Sequence, residues 1–409
     1  MNRQPFARPP RHWPPRLSPW WIHLCRPLRN RVLRRGQRLT QIEIQGTEQL
    51  RRPLDENAGV LITPNHAFHY DANVLYEVGY RVKRPFHFLT AWQVFAMSTR
   101  FQQWSMQRHG CFSIDRENVD LSAFRLSIEI LRDSPYPLVI FPEGDIYHTN
   151  DRVTPFRDGA AAVALSAAKR ANRRVVCVPC ALKWWFLDDP MPKLLELMDR
   201  LEEHLLWRPR PELPLPERIY RLAGGVLALK EQEYLGSPQT GPLPQRRDAL
   251  MDAVLGRLEE GHSVKPAGTV PERVKALRQA IITKQQQPDL KDADRAALAG
   301  EMEELFTVVQ MFSYPGDYVA ERPSVERIAE TLDKFEEDLF RVTYPAVRGR
   351  RRVVVRFGEP VEAPRGRTRK DAAVELTTEL ERRVQGLLDE LNQSFTAENA
   401  ESAEKRQKE

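Results

Sequence analysis

The sequence has no apolar run long enough to cross a membrane. A spanning helix needs about 18 or more consecutive apolar residues, and the 409-residue chain contains no such stretch. We therefore expect no transmembrane helix and a cytoplasmic protein that contacts lipid peripherally, at the inner face of a membrane. A secretory signal is not predicted, because no apolar segment follows the charged start. Internal repeats and a glycine-rich phosphate loop are also absent.

Cysteine is scarce. The four cysteines, at positions 25, 111, 177 and 180, are irregularly spaced, which suits a reducing compartment better than a disulfide framework. Cys177 and Cys180 form a C-x-x-C motif within the apolar run 175–182. Because residues three apart in a strand point to opposite faces, we interpret them as buried structural thiols and not as a zinc or redox site.

Acidic residues are missing from residues 1–40, which hold ten arginines. The rest of the chain holds 62 minus 10, or 52, basic residues against 56 acidic ones, so the positive excess lies entirely in this segment. Its large apolar residues include Trp13, Trp20, Trp21, Leu24, Leu28 and Leu33. Tryptophan with arginine is typical of a lipid headgroup boundary, so we interpret residues 1–39 as an arm that docks on a membrane lipid surface. A disordered basic leader and an organelle transit peptide are alternatives.

Between residues 40 and 189, short apolar runs alternate with segments of helical length. This alternation predicts an α/β fold. The predicted strands are 42–44, 60–63, 87–89, 111–114, 138–141 and 175–182, and the predicted helices are 72–80, 92–107, 119–132 and 159–170.

Residues 190–345 differ in texture, because apolar residues recur there at helical spacing. Proline-rich breaks, which end helices, occur at 209–216, 238–244 and 266–271. A strand signal then returns at 353–357. We interpret 190–345 as a large helical insertion in one α/β domain, 346–393 as the return of that domain, and 394–409 as a disordered tail.

Asn65, His66, His69 and Asp71 follow the predicted strand 60–63 closely. Strand ends are where α/β sheets bind ligands. A histidine can accept a proton from an alcohol, and a carboxylate five residues later can fold back on it if the residues between form a turn. A capping aspartate beside solvent-facing histidines is one alternative. A metal site of His66, His69 and Asp71 is another, which the small number of ligands disfavours.

Two further clusters also end predicted strands. Arg116 follows 111–114, and its guanidinium matches phosphate geometry. Glu143 and Gly144 follow 138–141, where glycine permits close approach and the carboxylate can accept hydrogen bonds from a polyol. Taken singly, these residues fit an ordinary surface arginine and an ordinary turn equally well.

In their order and spacing, the three clusters resemble the conserved blocks of the glycerol-phosphate and lysophosphatidic acid acyltransferase family. The resemblance covers about residues 42–185 and 353–361, with Phe-Pro-Glu-Gly at 141–144 and a weaker block around Pro179. It implies a mixed sheet flanked by helices, with His66 and Asp71 as a catalytic dyad. It also implies that Arg116, Glu143 and Gly144 bind the acceptor, and we add Asn65 and Arg157 as substrate-binding candidates.

One departure from the family pattern concerns the acceptor. Where the family typically has Thr-Arg after Glu-Gly, this chain has Asp145 and Ile146, so a second phosphate-holding guanidinium is missing. Arg157, from a neighbouring turn, is a candidate to replace it. Alternatively the acceptor is not lysophosphatidic acid, and the acid at 145 then favours a zwitterionic or differently headed lipid.

The resemblance implies acyl transfer from a thioester, either acyl coenzyme A or acyl carrier protein, to a hydroxyl of a lysophospholipid or glycerol phosphate. This chemistry belongs to phospholipid biosynthesis or remodelling. His66 is the expected general base, and no covalent enzyme intermediate, metal, cofactor or nucleic-acid partner is expected. The alternative is a lipid-binding scaffold that has lost catalysis and presents the helical insertion to a partner.

Overall fold

The computed structural model describes residues 9, 11–366 and 371–408, with side chains described as far as residue 394. Most of the first ten residues of the predicted arm lie outside the described residues. The described chain divides into two units. We call residues 11–114, 120–189 and those from 349 onward the sheet unit, and residues 115–119 and 190–348 the helical unit.

The strands of the sheet unit form one mixed sheet. They are β1 (Leu39–Gln45), β2 (Gly59–Pro64), β3 (His87–Ala91), β4 (Cys111–Ile114), β5 (Leu138–Val139), β6 (Val175–Phe186), β7 (Arg351–Phe357) and β8 (Val361–Glu362). Their order is β1-β7-β6-β2-β5-β3-β4, with β8 paired to β6. Strands β2 to β6 run parallel to one another, whereas β7 is antiparallel to β6. The predicted α/β fold with a mixed sheet is confirmed.

Helices flank this sheet. They are α1 (Pro19–Leu24), α2 (Arg26–Arg31), a π-helical turn (Val32–Gly36), α3 (Thr47–Asp55), α4 (Asp71–Arg81), α5 (Trp92–Ala96), α6 (Arg100–Arg108), α7 (Leu121–Asp133), α8 (Gly159–Arg170) and, at the end of the chain, α16 (Ala372–Lys408). The segment 92–107, predicted as one helix, forms two. Thr99 and Gln102 make a capping box that starts α6, so the backbone leaves the helix before it.

Apolar side chains cover both faces of the sheet. In β2, Val60 and Ile62 belong to the core of one face and Leu61 to the core of the other. The same alternation separates Cys180 from Cys177. Both thiols are free and buried, and burial raises the pKa of Cys177 to about 12. The predicted burial of the two thiols on opposite faces of the strand is confirmed.

From residue 11 onward the arm is packed against the sheet unit. Trp13 and Leu33, which we expected in a lipid-docking segment, are buried in its core. Trp13 stacks on Phe95 with 5.2 Å between ring centroids, and Arg26 donates two hydrogen bonds to Glu77, at 2.8 and 3.0 Å. The disordered-leader alternative therefore does not hold for these residues, because their side chains complete the core.

The helical unit contains α9 (Met191–His204), α10 (Leu215–Leu235), α11 (Leu243–His262), α12 (Val270–Gln285), α13 (Asp292–Phe312), α14 (Tyr318–Glu321) and α15 (Val325–Phe340). Helices α9 to α12 each carry a proline in the first turn. Proline fits there because that turn needs no backbone donor. The proline-rich breaks therefore mark helix starts as well as helix ends.

Helix α16 continues to Lys408, through the segment predicted as a disordered tail. We based that prediction on polarity. The segment is also rich in alanine, glutamate and lysine, which extend a helix once it has been nucleated. No helix in the described part of the chain, α16 included, has both the length and the apolar composition needed to cross a membrane.

Candidate active site

The segment between β2 and α4 brings His66 and Asp71 together. Nδ1 of His66 lies 3.0 Å from Oδ2 of Asp71. Residues 65–70 leave the strand and turn back before the helix begins at Asp71. The main-chain N–H of Phe68 donates to the same carboxylate oxygen at 2.8 Å, which holds the turn. The residues between His66 and Asp71 therefore form the turn that was predicted to fold the carboxylate back on the histidine.

Asp71 is fully buried and its carboxylate is surrounded by donors. Oδ2 accepts from His66 and Phe68, and Oδ1 accepts from the indole N–H of Trp184 at 2.9 Å. A buried carboxylate needs such partners because it has lost its water. The carboxylate is held in one orientation, with Oδ2 toward the imidazole.

The imidazole of His66 is partly exposed to solvent. Its side chain is 17% exposed, and its ring stacks on Phe141 with 4.1 Å between centroids. Nδ1 faces Asp71, whereas Nε2 has no hydrogen-bonding partner among the described residues. An imidazole held in this way has one nitrogen fixed and the other available to an incoming hydroxyl.

Asn65 has a structural role in the sheet. It is fully buried. Its side-chain amide donates to the carbonyl of Leu182 at 3.1 Å and accepts from the N–H of the same residue at 2.7 Å. Asn65 thus pairs with β6 just beyond the last residue of β2. Its predicted contact with substrate remains a prediction.

Glu143 links the third sequence cluster to the first. Its carboxyl accepts from the main-chain N–H of His66 at 2.6 Å and from that of Thr154 at 3.0 Å. The side chain is buried, and burial raises the pKa of Glu143 to about 8, with a further contribution from Asp71; the two backbone donors act in the opposite direction. At neutral pH the carboxyl therefore favours its neutral form. Glu143 fixes the backbone at His66.

Gly144 and Arg157 are neighbours. Gly144 has a φ of +75°, and a Cβ added to it would lie 2.7 Å from Nε of Arg157. The main-chain N–H of Arg157 donates to the carbonyl of Pro142 at 2.9 Å. Arg157 is exposed. Burial raises the pKa of Tyr147 to about 12, and the positive charge of Arg157 acts in the opposite direction. The structure thus brings a guanidinium to the turn that lacks the family's Thr-Arg.

Arg116 lies in the turn that follows β4, within residues 115–119 of the helical unit. Asp115 accepts from the N–H of Glu117 at 3.1 Å and from the amide of Asn118 at 2.7 Å, which shapes this turn. Glu117 pairs with Arg278 of α12 at 3.4 Å. The expected contact of Arg116 with an acceptor phosphate remains a prediction.

The hydrogen bonds of the dyad disfavour the metal alternative. In that alternative, His66, His69 and Asp71 would all point at one ion. Nδ1 of His66 instead faces Asp71, and both Asp71 oxygens accept from protein donors. Among the described residues, these three do not form a metal-ligating cluster.

Two site residues were missed by the sequence argument. Trp184 donates to Asp71 although 113 positions separate them, and Phe141 was noted only as part of a motif. The tryptophans at 184 and 185 follow the predicted strand 175–182 after one residue, Lys183. Their position indicated that large aromatic side chains lie near the end of this strand, but nothing in the sequence related Trp184 to Asp71.

Part of the chain matches a known protein family. Residues 41–183 match the family described as Acyltransferase. This segment runs from β1 into β6 and includes the dyad turn, so the similarity to the acyltransferase family lies mostly within the sheet unit. The match spans about a third of the chain and includes none of residues 190–348.

The chain is also similar to a protein whose activity is given by its name. Over 100 residues the chain is 33% identical to a protein of Streptococcus pneumoniae (strain ATCC BAA-255 / R6) named 1-acyl-sn-glycerol-3-phosphate acyltransferase. The aligned part is 24% of this chain and 35% of that protein. The chain thus spans about a third of the length of the relative it matches.

The buried carboxyl of Glu143 predicts a pH-dependent effect of Glu143→Gln on stability. The ordinary pKa of 4.5 is raised to about 8 in the folded state, so folding binds a proton and the unfolding free energy of the parent falls as pH rises between these values. Glutamine cannot ionise. The unfolding free energy of the variant relative to the parent should therefore increase from pH 5 to pH 9, by on the order of 4 kcal/mol.

Denaturant titrations at several pH values measure this difference. Glutamine loses one acceptor for a backbone N–H, which adds a constant cost of about 1 to 3 kcal/mol at every pH. Only the slope against pH therefore tests the prediction. If the unfolding free energies of parent and variant changed in parallel with pH, the pKa of Glu143 would not be raised in the folded state.

Proposed function

We propose that this protein transfers a fatty acyl group from an acyl thioester to a hydroxyl of a lysophospholipid or glycerol phosphate. The observation that carries the proposal is the His66–Asp71 hydrogen bond of 3.0 Å, at the end of a strand within an acyltransferase-family domain. The name of the pneumococcal relative supports a phosphate-bearing glycerol lipid as acceptor. The donor is acyl coenzyme A or acyl carrier protein.

In the proposed mechanism, His66 is the general base. Nε2 takes the proton of the acceptor hydroxyl as its oxygen attacks the thioester carbonyl carbon. Asp71 accepts the Nδ1–H hydrogen bond, which selects the tautomer and stabilises the imidazolium that forms. The tetrahedral intermediate then expels the thiolate by cleavage of the carbon–sulfur bond, and the thiolate receives the proton from Nε2. The products are the ester and the free thiol.

Removal of the base should abolish turnover. We expect His66→Ala to lower kcat by about a hundred- to ten-thousand-fold, because general-base catalysis contributes a factor of that size. Asp71→Asn should also impair turnover, because the amide can stabilise the wrong tautomer. Transfer of a labelled palmitoyl group from coenzyme A and from acyl carrier protein to lysophosphatidic acid, other lysophospholipids and glycerol 3-phosphate measures both effects.

His69→Ala is the matched control, because His69 lies in the same turn but outside the dyad. It should keep most of the activity. The acyltransferase proposal would be contradicted if the parent protein transferred an acyl group from neither donor to any acceptor. If its lipid binding were also unchanged by His66→Ala, the lipid-binding scaffold would be favoured.

We further propose that Arg157 supplies the second cation for the acceptor phosphate. Its guanidinium lies against Gly144, next to the positions where the family's Thr-Arg is replaced by Asp145 and Ile146. Arginine binds phosphate through two parallel N–H donors. An exposed guanidinium at this turn offsets the negative charge of Asp145, so an anionic acceptor remains compatible with the site.

Arg157→Ala should raise the KM for a phosphate-bearing acceptor about tenfold or more, since a charged hydrogen-bonded contact is lost. The KM for the acyl donor should not change. Arg382→Ala is the control, because Arg382 is an exposed arginine on α16 of the same unit. An acceptor KM that stays at the parent value would reject this role for Arg157.

The arm supports a third proposal, because it contributes to an exposed cluster of aromatic side chains. We call Trp20, Trp21, Phe101 and Trp104 the aromatic patch. Trp21 lies 4.6 Å from Trp104 between ring centroids, and its indole N–H donates to Ser105 at 3.1 Å. Trp20 is 69% exposed and Phe101 is 65% exposed. Large apolar side chains at this exposure, grouped together, mark an interaction surface.

Charge indicates the partner of the aromatic patch. Arg31, Arg34, Arg35 and Arg100 are exposed, and no acidic residue occurs in the first 40 positions. Tryptophan beside arginine is suited to the headgroup region of an anionic bilayer. We propose that the aromatic patch and these arginines hold the protein peripherally on such a membrane, where its lipid acceptor is found.

Replacement of the two most exposed side chains of the aromatic patch should weaken vesicle binding. We expect Trp20→Ser with Phe101→Ser to lower partition into phosphatidylcholine–phosphatidylglycerol vesicles about tenfold or more, because two apolar side chains no longer insert. Co-sedimentation measures the partition. Val374→Ser is the control, since Val374 is 53% exposed on α16. If the double variant binds like the control, or if omission of phosphatidylglycerol has no effect, this surface is not the docking site.

A further inference from the structure

The carboxylate of Asp71 is oriented from two sides. His66 and Phe68 bind Oδ2, whereas the indole N–H of Trp184 donates to Oδ1, with an N–O distance of 2.9 Å. An indole N–H can only donate, so this contact fixes Oδ1 as an acceptor. Both Asp71 and Trp184 are buried, which makes the bond stronger than the same contact in water.

The position of Trp184 depends on how β6 is paired after β2 has ended. The ladder between β2 and β6 stops at Pro64 and Cys180, but β6 continues to Phe186. Beyond this point, asparagine side chains take the place of the missing strand. Asn65 makes two hydrogen bonds with the main chain of Leu182, as described above.

Asn150 repeats this arrangement two residues further along β6. Its amide donates to the carbonyl of Trp184 at 2.7 Å and accepts from the N–H of Trp184 at 2.9 Å. Asn150 is fully buried. A primary amide presents one donor and one acceptor side by side, as a strand backbone does, so it can satisfy both main-chain groups of one residue.

The indole ring of Trp184 is fixed as well. Phe68 meets it edge-on with 5.4 Å between centroids, and the guanidinium of Arg351 lies 5.0 Å from its centre. Phe68 also donates its main-chain N–H to Asp71. Main chain and ring are therefore both constrained, and the indole N–H has one direction in which to point.

We propose that Trp184, aligned by Asn150, is a positioning residue that orients Asp71 toward His66. The proposal rests on the proposed function of the dyad. Trp184 does not touch the reacting atoms; it prevents rotation of the carboxylate and stabilises its ionised form. Without the indole N–H, Oδ1 is a buried acceptor that has lost its partner, and the carboxylate is free to turn away from the imidazole.

Trp184→Phe tests the proposal because it removes the N–H and keeps an aromatic ring. We expect kcat to fall about tenfold to a hundredfold, the effect of one lost hydrogen bond to a charged group. The KM values for donor and acceptor should change little. The acid limb of the kcat–pH profile should move to higher pH, because the ionised carboxylate has lost a stabilising donor. Asn150→Ala should change kcat and the acid limb in the same direction but less strongly.

Trp185→Phe is the matched control. Trp185 is the next residue of β6, is buried, and belongs to a core on the other side of the strand. The same change in volume occurs there without contact to Asp71. Thermal unfolding of both variants separates a loss of stability from a loss of positioning, so an equal change in kcat and pH profile in the two would overturn the proposal.

A measurement that needs no turnover distinguishes this inference from the proposed function. The proton between His66 Nδ1 and Asp71 should give a downfield proton resonance that Trp184→Phe shifts or broadens and Trp185→Phe leaves in place. An active parent with an unchanged resonance and unchanged kcat in Trp184→Phe would reject the positioning role alone. A parent without transfer activity, whose resonance nevertheless depends on Trp184, would reject the proposed function and leave the contact purely structural.

Discussion

A fully buried carboxylate at Asp71 is the constraint around which this site is built. Such a group is tolerated only where donors replace its water. The three donors come from a side chain, a turn and a distant strand, namely His66, Phe68 and Trp184. To supply them, the chain must leave β2 sharply, begin α4 at Asp71 and continue β6 past the end of its neighbour. The geometry of the dyad is thus inseparable from the way in which these elements end.

The same principle explains the residues around the dyad. β2 and β5 are parallel neighbours, so their carboxyl ends meet at one edge of the sheet. Glu143, which follows β5, can therefore hold the backbone of His66 although 77 positions separate them. Asn65 and Asn150 satisfy the main chain of β6 where β2 no longer can. Several residues of the sequence motifs thus serve the backbone of the site, in addition to any contact with substrate.

Segments on both sides of the family match contribute to the structure. The match to the acyltransferase family covers residues 41–183, and the arm that precedes it is packed on the sheet unit from residue 11 onward. Packing buries Trp13 and Leu33 and leaves Trp20 exposed. The residues after it include the whole series α9 to α15, together with β7, which completes the sheet beside β6. The helical unit also includes residues 115–119, which lie within the family match and contain Arg116.

The sequence by itself determined the α/β class, the positions of most strands and the helical character of 190–345, because these depend on local periodicity. It also proposed the pairing of His66 with Asp71, which requires only a short turn, but left a capping aspartate and a metal site open as alternatives. It did not reveal the break at Thr99 or the helix that continues to Lys408, where capping and nucleation outweigh composition. It also did not reveal that Trp13 is core, that Glu143 and Asn65 hold main-chain groups, or that Trp184 reaches Asp71. Only the tertiary structure decided these, since they are contacts between residues far apart in the chain, and such contacts exist only once the strands lie side by side and their ends share an edge.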